Sequence, residues 1–278
     1  MHAISVGIRG TLAFLAIAVD FADIQWTSRP TNQPATHFPT ILERHPMHRS
    51  LLHSFVLTLL IASVSFAADN QLTEAEKDAG WQLLFNGNDL TGWRCNNDKP
   101  IATKIEDGCL VPYQSGGYLI IHENKFDDFV LKCDVRWEDP RCNSGIFFRV
   151  ENPKDPVNTS FEAQVMAGNG TSKHDMGAIY DLVGPSTPAG RGTGQWNSIE
   201  IKCQGPEISI KVNDTLVSEM NCDKFGKPGF CPDGQAHKFK LGGKPRAIKD
   251  FSHSGYLGFQ DHGHKVWYKN VKLLALKK

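Results

Sequence analysis

The sequence predicts an all-β sandwich of two antiparallel sheets, led by one short helix and carrying its function on one face. Two observations lead there. After residue 80 helical periodicity is nearly absent, and the chain reads as short alternating runs punctuated by Gly, Pro, Asn and Asp. Within three of those runs, polar side chains recur at every second position of an apolar strand, which a strand facing only a core would not show.

The helix lies at 73–80, where Thr73 reads as an N-cap, Glu76 closes a capping box and Gly80 ends the turn. Strands are expected near 81–85, 109–113, 118–122, 128–138, 144–150, 160–166, 177–182, 195–203, 207–212, 216–220, 237–240, 255–260 and 265–275. Asn213-Asp214 between two of them predicts a tight hairpin. No internal repeat and no second domain is evident.

The two-residue period assigns faces. Ile146 and Phe148 share one side, with Gly145, Phe147 and Arg149 on the other. Phe161, Ala163 and Val165 oppose Glu162, Gln164 and Met166. Leu257 and Phe259 oppose Tyr256, Gly258, Gln260 and His262. An ordinary solvated face favours Lys, Glu and Thr. Planar Arg, Glu, Gln, Tyr and His interleaved with Gly suit a sugar-binding concavity, since Gly admits the ligand to the backbone and planar groups bond vicinal hydroxyls in pairs. Asn86 and Asp89 read as turn formers, and Trp93, Trp196 and Trp267 as core.

The ends read differently. Residues 47–67 have a short basic start, an apolar stretch and a Ser65-x-Ala67 end, the layout of a secretory signal peptide with cleavage near Ala67 or Ala68. Residues 1–46 are an unplaced extension, read as an over-extended gene start or as an anchor and linker. A single domain then spans 68–278, exported to the periplasm or beyond, with no other membrane association. The chain balances 30 Lys/Arg against 30 Asp/Glu, which argues against nucleic acid as a partner. Seven cysteines lack zinc-type spacing. Cys222 and Cys231 flank a Gly- and Pro-containing turn that a disulfide could close, whereas Cys133, alternating with Leu131, Val135 and Trp137, reads as a small buried hydrophobe.

The phrases Phe85-Asn86-Gly87-x-Asp89-Leu90-x-Gly92-Trp93, Asn143-Ser144-Gly145-Ile146, Glu162-x-Gln164, Gly177-Ala178-Ile179-Tyr180, Gln195-Trp196-Asn197 and Gln260-Asp261-His262-Gly263 occur in that order. Together they resemble the 3-keto-disaccharide hydrolase domain family, over residues 81–275. The resemblance implies a concanavalin A-like jelly roll, export from bacteria, and action on sugars whose C3 hydroxyl has become a ketone. Where the family often has Gly after its Gly-x-x-Tyr phrase, this chain has Asp181, which either adds a carboxylate near the site or caps a turn.

An ordinary glycosidase needs two carboxylates. Relatives of the laminarinase type carry both on one strand as Glu-x-Asp-x-x-Glu, and here Glu162-Ala163-Gln164-Val165-Met166-Ala167 supplies one. A 3-keto sugar has an acidic C2 proton, so one base, an enolate stabiliser and a proton donor suffice. Glu162 or His174 is the candidate base, Arg149 with Gln164 the stabiliser, and Tyr180 or His262 the donor to the leaving group. Asn143, Asp181 and Gln260 complete the candidate substrate contacts. Arg149 and Glu162 could instead form a plain cross-strand ion pair. No cofactor is expected, with a divalent ion on Glu162, His174, Asp181 or His262 as a secondary option. The runner-up function is a carbohydrate-binding module without turnover; a conventional endoglucanase ranks third.

Overall fold

The computed structural model describes residues 68–277, so the expected signal peptide and the 1–46 extension lie outside the described residues. The capping box forms as expected: the helix α1 (Glu74–Asp78) opens on Thr73, whose side chain accepts from the Glu76 amide while Glu76 reaches back to the Thr73 amide. Among the described residues no helix is long and apolar enough to cross a membrane.

Two antiparallel sheets stack as a jelly-roll sandwich. The first runs β1 (Gln82–Leu83), β13 (Val266–Ala275), β4 (Phe129–Trp137), β7 (Asn197–Gln204), β8 (Glu207–Val212), β9 (Thr215–Asn221). The second runs β2 (Trp93–Cys95), β3 (Leu119–Phe126), β12 (Gly255–Gln260), β5 (Asn143–Val150), β6 (Phe161–Met166). A separate two-stranded ribbon pairs β10 (Lys240–Leu241) with β11 (Lys244–Pro245). Alternation drives the stacking. Along β4 every second residue, Phe129 to Trp137 and including Cys133, is buried against Ile146, Phe148, Phe161, Ala163, Val165, Leu257 and Phe259 of the facing sheet. Asn213 and Asp214 join β8 to β9 with φ of 49° and 64°, the paired left-handed geometry of a tight hairpin.

Four expected strands shrink. At 81–85 only Gln82–Leu83 forms a strand, paired with β13. At 109–113 only isolated bridges form, Glu106 to Cys109 and Leu110 to Tyr268. At 177–182 Ile179 bridges Ala163 and Val183, because Gly177 and Asp181 (φ of 85° and 60°) turn the chain on either side. Near 237–240 the strand reduces to two residues. Strands β2 and β11 were not expected; each is too short to show a period.

Arg149 corrects the face assignment. Its φ is +52°, and the pairing of β5 with β12 slips by one residue between Tyr256 and Gly258, so a bulge breaks the alternation here. Val150 takes the outer face beside Phe147, and Arg149 turns inward between the sheets. There it donates to the Asp127 carbonyl (3.3 Å) and to Asp128 Oδ1 (3.1 Å), which also accepts from the Gly205 amide at 2.9 Å. The alternative of a plain cross-strand Arg149–Glu162 ion pair does not form either. All seven cysteines are buried and free, so Cys222 and Cys231 do not close a loop. Cys231 instead donates to the Asp181 carbonyl at 3.1 Å, and Cys222 packs in the core with Cys203.

Since Arg149 is fully buried and ties β5 to the turn before β4, removing its counter-charge should be expensive. Asp128→Ala is expected to lower unfolding free energy by about 3–5 kcal/mol in urea titration; a loss under about 1 kcal/mol would show that the pair is dispensable.

Candidate functional site

The site grows from β6. Packing of Phe161, Ala163 and Val165 into the core leaves Glu162 and Gln164 no choice but the outer face of the second sheet. Across the ladder Gln164 stands opposite Gly145, and Glu162 opposite Phe147. Gly145 is required there: a Cβ at that position would sit 2.7 Å from Glu162 Cδ, so the missing side chain is the space the carboxyl fills.

A cleft of about 50 Å³ opens over these residues, lined by Tyr118, Asn143, Val157, Glu162, Gln164, Tyr180, Lys238, Gln260 and His262. Six of the nine sequence-predicted site residues line it: Asn143, Glu162, Gln164, Tyr180, Gln260 and His262. Strand β12 delivers Gln260, and its register is pinned because Ser144 Oγ donates to the Gln260 carbonyl at 2.7 Å. The segment after β6 folds back along it, with the Gly177 amide on the Gln164 carbonyl and the Tyr180 amide on the Glu162 carbonyl, both at 2.9 Å. That places the Tyr180 ring in the cleft wall.

The electrostatics of the cleft are unusual. Burial pushes the Glu162 carboxyl from 4.5 up to about 8, opposed by the charge of Lys238. Burial, with the nearby Glu162 as a further cause, pushes the Tyr118 phenol up to about 12. Gln164 Nε2 donates to Asn143 Oδ1 at 3.0 Å, and Gln260 Nε2 donates to the Tyr118 hydroxyl. Each amide thus uses its nitrogen within the site, while the buried oxygens Gln164 Oε1 and Gln260 Oε1 have no partner among the described residues. Two desolvated acceptors beside a carboxyl held protonated at neutral pH suit a ligand that brings hydroxyl donors.

The remaining three predicted residues lie elsewhere. Arg149 is between the sheets. His174 is exposed, outside the cleft lining, with Nε2 3.3 Å from Asp181 Oδ1 and its ring 5.0 Å from that of Tyr180. Asp181 resolves the expected alternatives in favour of the turn. It holds the left-handed conformation that glycine favours, and its Oδ2 accepts from the Lys238 amide at 3.0 Å, tying two loops together. Glu162 and His262 therefore sit at the cleft while His174 and Asp181 pair beside it, and among the described residues no three His, Cys, Asp or Glu side chains gather as metal ligands.

Sequence reasoning missed Tyr118, Val157 and Lys238. Tyr118 heads an expected strand, but its hydroxyl reaches the cleft only because of its pairing with Gln260. Lys238 falls in the strand expected at 237–240 but lies in an irregular segment, as does Val157, and the two are held together where the Lys240 amide donates to Asn158 Oδ1 at 3.1 Å.

Residues 80–274 match the family described as the 3-keto-alpha-glucoside-1,2-lyase-like domain. A Bacteroides thetaiotaomicron protein named 3-keto-disaccharide hydrolase is 27% identical over 248 residues, covering 76% of this chain and 83% of that protein. The fold is also similar to that of a candidate glycosyl hydrolase from Parabacteroides distasonis. It is 28% identical with a TM-score of 0.61, over 76% of this chain and all of that one. A second such structure from the same organism is 27% identical with the same TM-score, 0.61, over 70% of this chain and 99% of that one.

The raised Glu162 titration has a sign in stability. The folded protein keeps a proton that the unfolded chain releases near 4.5, so the stabilisation is full below that value and is lost as pH rises to about 8. Glu162→Gln should therefore melt at a higher temperature than the parent at about pH 8 and differ little at about pH 5; parallel Tm profiles for the two proteins would show that the carboxyl titrates normally.

Proposed function

This chain belongs to the 3-keto-alpha-glucoside-1,2-lyase-like domain family, and from that premise we propose that it cleaves the glycosidic bond of 3-keto-glycosides, disaccharides among them. A carbohydrate hydrolase is the coarse reading that the relatives' names support. The observation that carries the finer one is a lone carboxyl, Glu162, desolvated and titrating near 8 in a cleft that holds no second acid among its lining residues. Two carboxylates are what hydrolysis of an unoxidised glycoside needs. One suffices when a ketone at C3 already acidifies the C2 proton.

In this scheme deprotonated Glu162 takes the C2 proton, and the electron pair of the broken C–H bond moves onto the C3 oxygen as an enolate. The enolate collapses, the C1–O bond breaks, and the leaving oxygen takes a proton from Tyr180 or His262 on the cleft wall. Water then adds across the new double bond, its oxygen to C1 and a proton to C2, completing a net hydrolysis. Gln164 Oε1 and Gln260 Oε1 accept from substrate hydroxyls, which gives these buried oxygens the partners they lack. The small volume of the cleft, about 50 Å³, fits the reacting edge of the sugar, with the rest of the ligand outside it. His174 is the weaker base candidate because it stands outside the lining and is paired with Asp181.

The test is to supply a 3-keto-disaccharide and, separately, the same sugar unoxidised. Cleavage of the oxidised sugar alone is expected, with kcat/KM rising with pH and levelling above about 8 as Glu162 loses its proton. Glu162→Gln should lower kcat by about 10²–10⁴-fold. Full turnover by that variant would remove Glu162 from the scheme, and binding of the oxidised sugar without any cleavage would mean a carbohydrate-binding module instead. Export through the 47–67 leader belongs to the same proposal; the N-terminus of protein recovered outside the cytoplasm is expected at residue 68 or 69.

A further inference from the structure

An enolate forming beside Glu162 needs a positive partner, and the inward turn of Arg149 leaves the role expected of it empty. Among the residues lining the cleft, Lys238 is the one with a permanent cationic side chain. We propose that Lys238 is a catalytic residue whose ammonium group stabilises the developing charge on the C3 oxygen of the substrate. The inference rests on the 3-keto-glycoside reading given above.

Four observations support it. First, Lys238 makes no salt bridge among the described residues, whereas Lys173 on the neighbouring loop holds Asp233 at 2.7 Å. Its charge is available to a ligand. Second, the side chain is aimed. Its Nζ lies 4.2 Å from the centroid of the Tyr180 ring, in the cleft wall, a contact that holds an ammonium over an aromatic face. Third, the backbone that carries it is fixed, since the Lys238 amide donates to Asp181 Oδ2 at 3.0 Å. Asp181 in turn sits on the loop that presents Tyr180, so its left-handed turn, with φ of 60°, positions the cation. Fourth, Lys238 already acts on the site electrostatically, as the charge that opposes the effect of burial on Glu162.

The chemistry balances. Transfer of the C2 proton neutralises the Glu162 carboxylate and moves its negative charge to the substrate oxygen. The cleft then holds one anion, the enolate, and one cation, Lys238. Before transfer the same cation acts on the carboxylate only at a distance, as a charge opposing the effect of burial, without a salt bridge to it. It gains a direct partner only as the oxyanion forms, and a fixed group that interacts more strongly then than before favours the transition state.

The experiment compares the parent protein, Lys238→Met, Lys238→Arg and Glu162→Gln. It follows cleavage of a 3-keto-disaccharide and, in D2O, exchange at C2 by NMR, with thermal melting to show that each variant is folded. Lys238→Met is expected to lower kcat by about 10²-fold or more with a much smaller change in KM, and to slow C2 exchange in parallel. Lys238→Arg should recover a substantial part of that loss, because it restores charge without restoring shape. A folded Lys238→Met with kcat within about threefold of the parent, or one altered in KM alone, overturns the inference while leaving the parent reading intact. A covalent adduct trapped on Lys238 by borohydride also overturns it, since the nitrogen would then act as a nucleophile. If the parent protein neither cleaves the oxidised sugar nor exchanges its C2 proton, the functional reading fails and the inference falls with it.

Discussion

The constraint on which the site depends is the burial of one carboxyl on the outer face of β6. Strand β6 cannot rotate, because Phe161, Ala163 and Val165 are locked into the core on its other side. A one-residue slip would exchange the two sets, so core packing holds Glu162 in a place that water barely reaches. Charge there is expensive, and the protein lowers the cost by keeping the group protonated near neutrality instead of pairing it. A salt bridge would have stabilised the charged carboxyl and lowered its titration point. The position is therefore a local compromise of stability, of the kind that marks reactive sites.

Everything else in the cleft is arranged around that carboxyl. Gly145 yields the volume it needs. The chain following β6 returns along the strand and donates the Tyr180 amide to the Glu162 carbonyl, so the wall of the cleft takes its register from the strand that bears the acid. Asp181, one residue later, reaches across to the Lys238 amide and brings in a loop more than fifty residues further along the chain. On the opposite side Ser144 fixes β12, and Gln260 then holds the Tyr118 hydroxyl. The amides spend their N–H groups on this framework, and their buried oxygens are left without a partner among the described residues.

Arg149 shows how far a period can be trusted. In sequence it falls two residues after Phe147 and inherits the outer face. A single extra residue in the strand, with φ in the left-handed region, moves it to the opposite side, where it pairs with Asp128 and braces the two sheets. No composition signal marks that bulge, since Phe147-Phe148-Arg149-Val150 is an unbroken apolar run apart from the Arg. The seven cysteines teach a related lesson. Their spacing allows a bond between Cys222 and Cys231, but Cys222 packs in the core and Cys231 turns to the Asp181 carbonyl.

The sequence by itself determined the sandwich, the capped helix, the hairpin at Asn213-Asp214 and the outward direction of Glu162, Gln164 and Gln260. Each of these is a local matter: a two-residue period, a cap four residues long, a pair of residues tolerant of positive φ. Tertiary structure alone decided that Tyr118 and Lys238 join the site, that His174 and Asp181 stand beside it, and that Arg149 leaves it. Those outcomes depend on a bulge and on loops brought together from distant parts of the chain, and neither leaves a period to read. The titration of Glu162 is decided the same way, because it follows from how much water the neighbouring segments exclude.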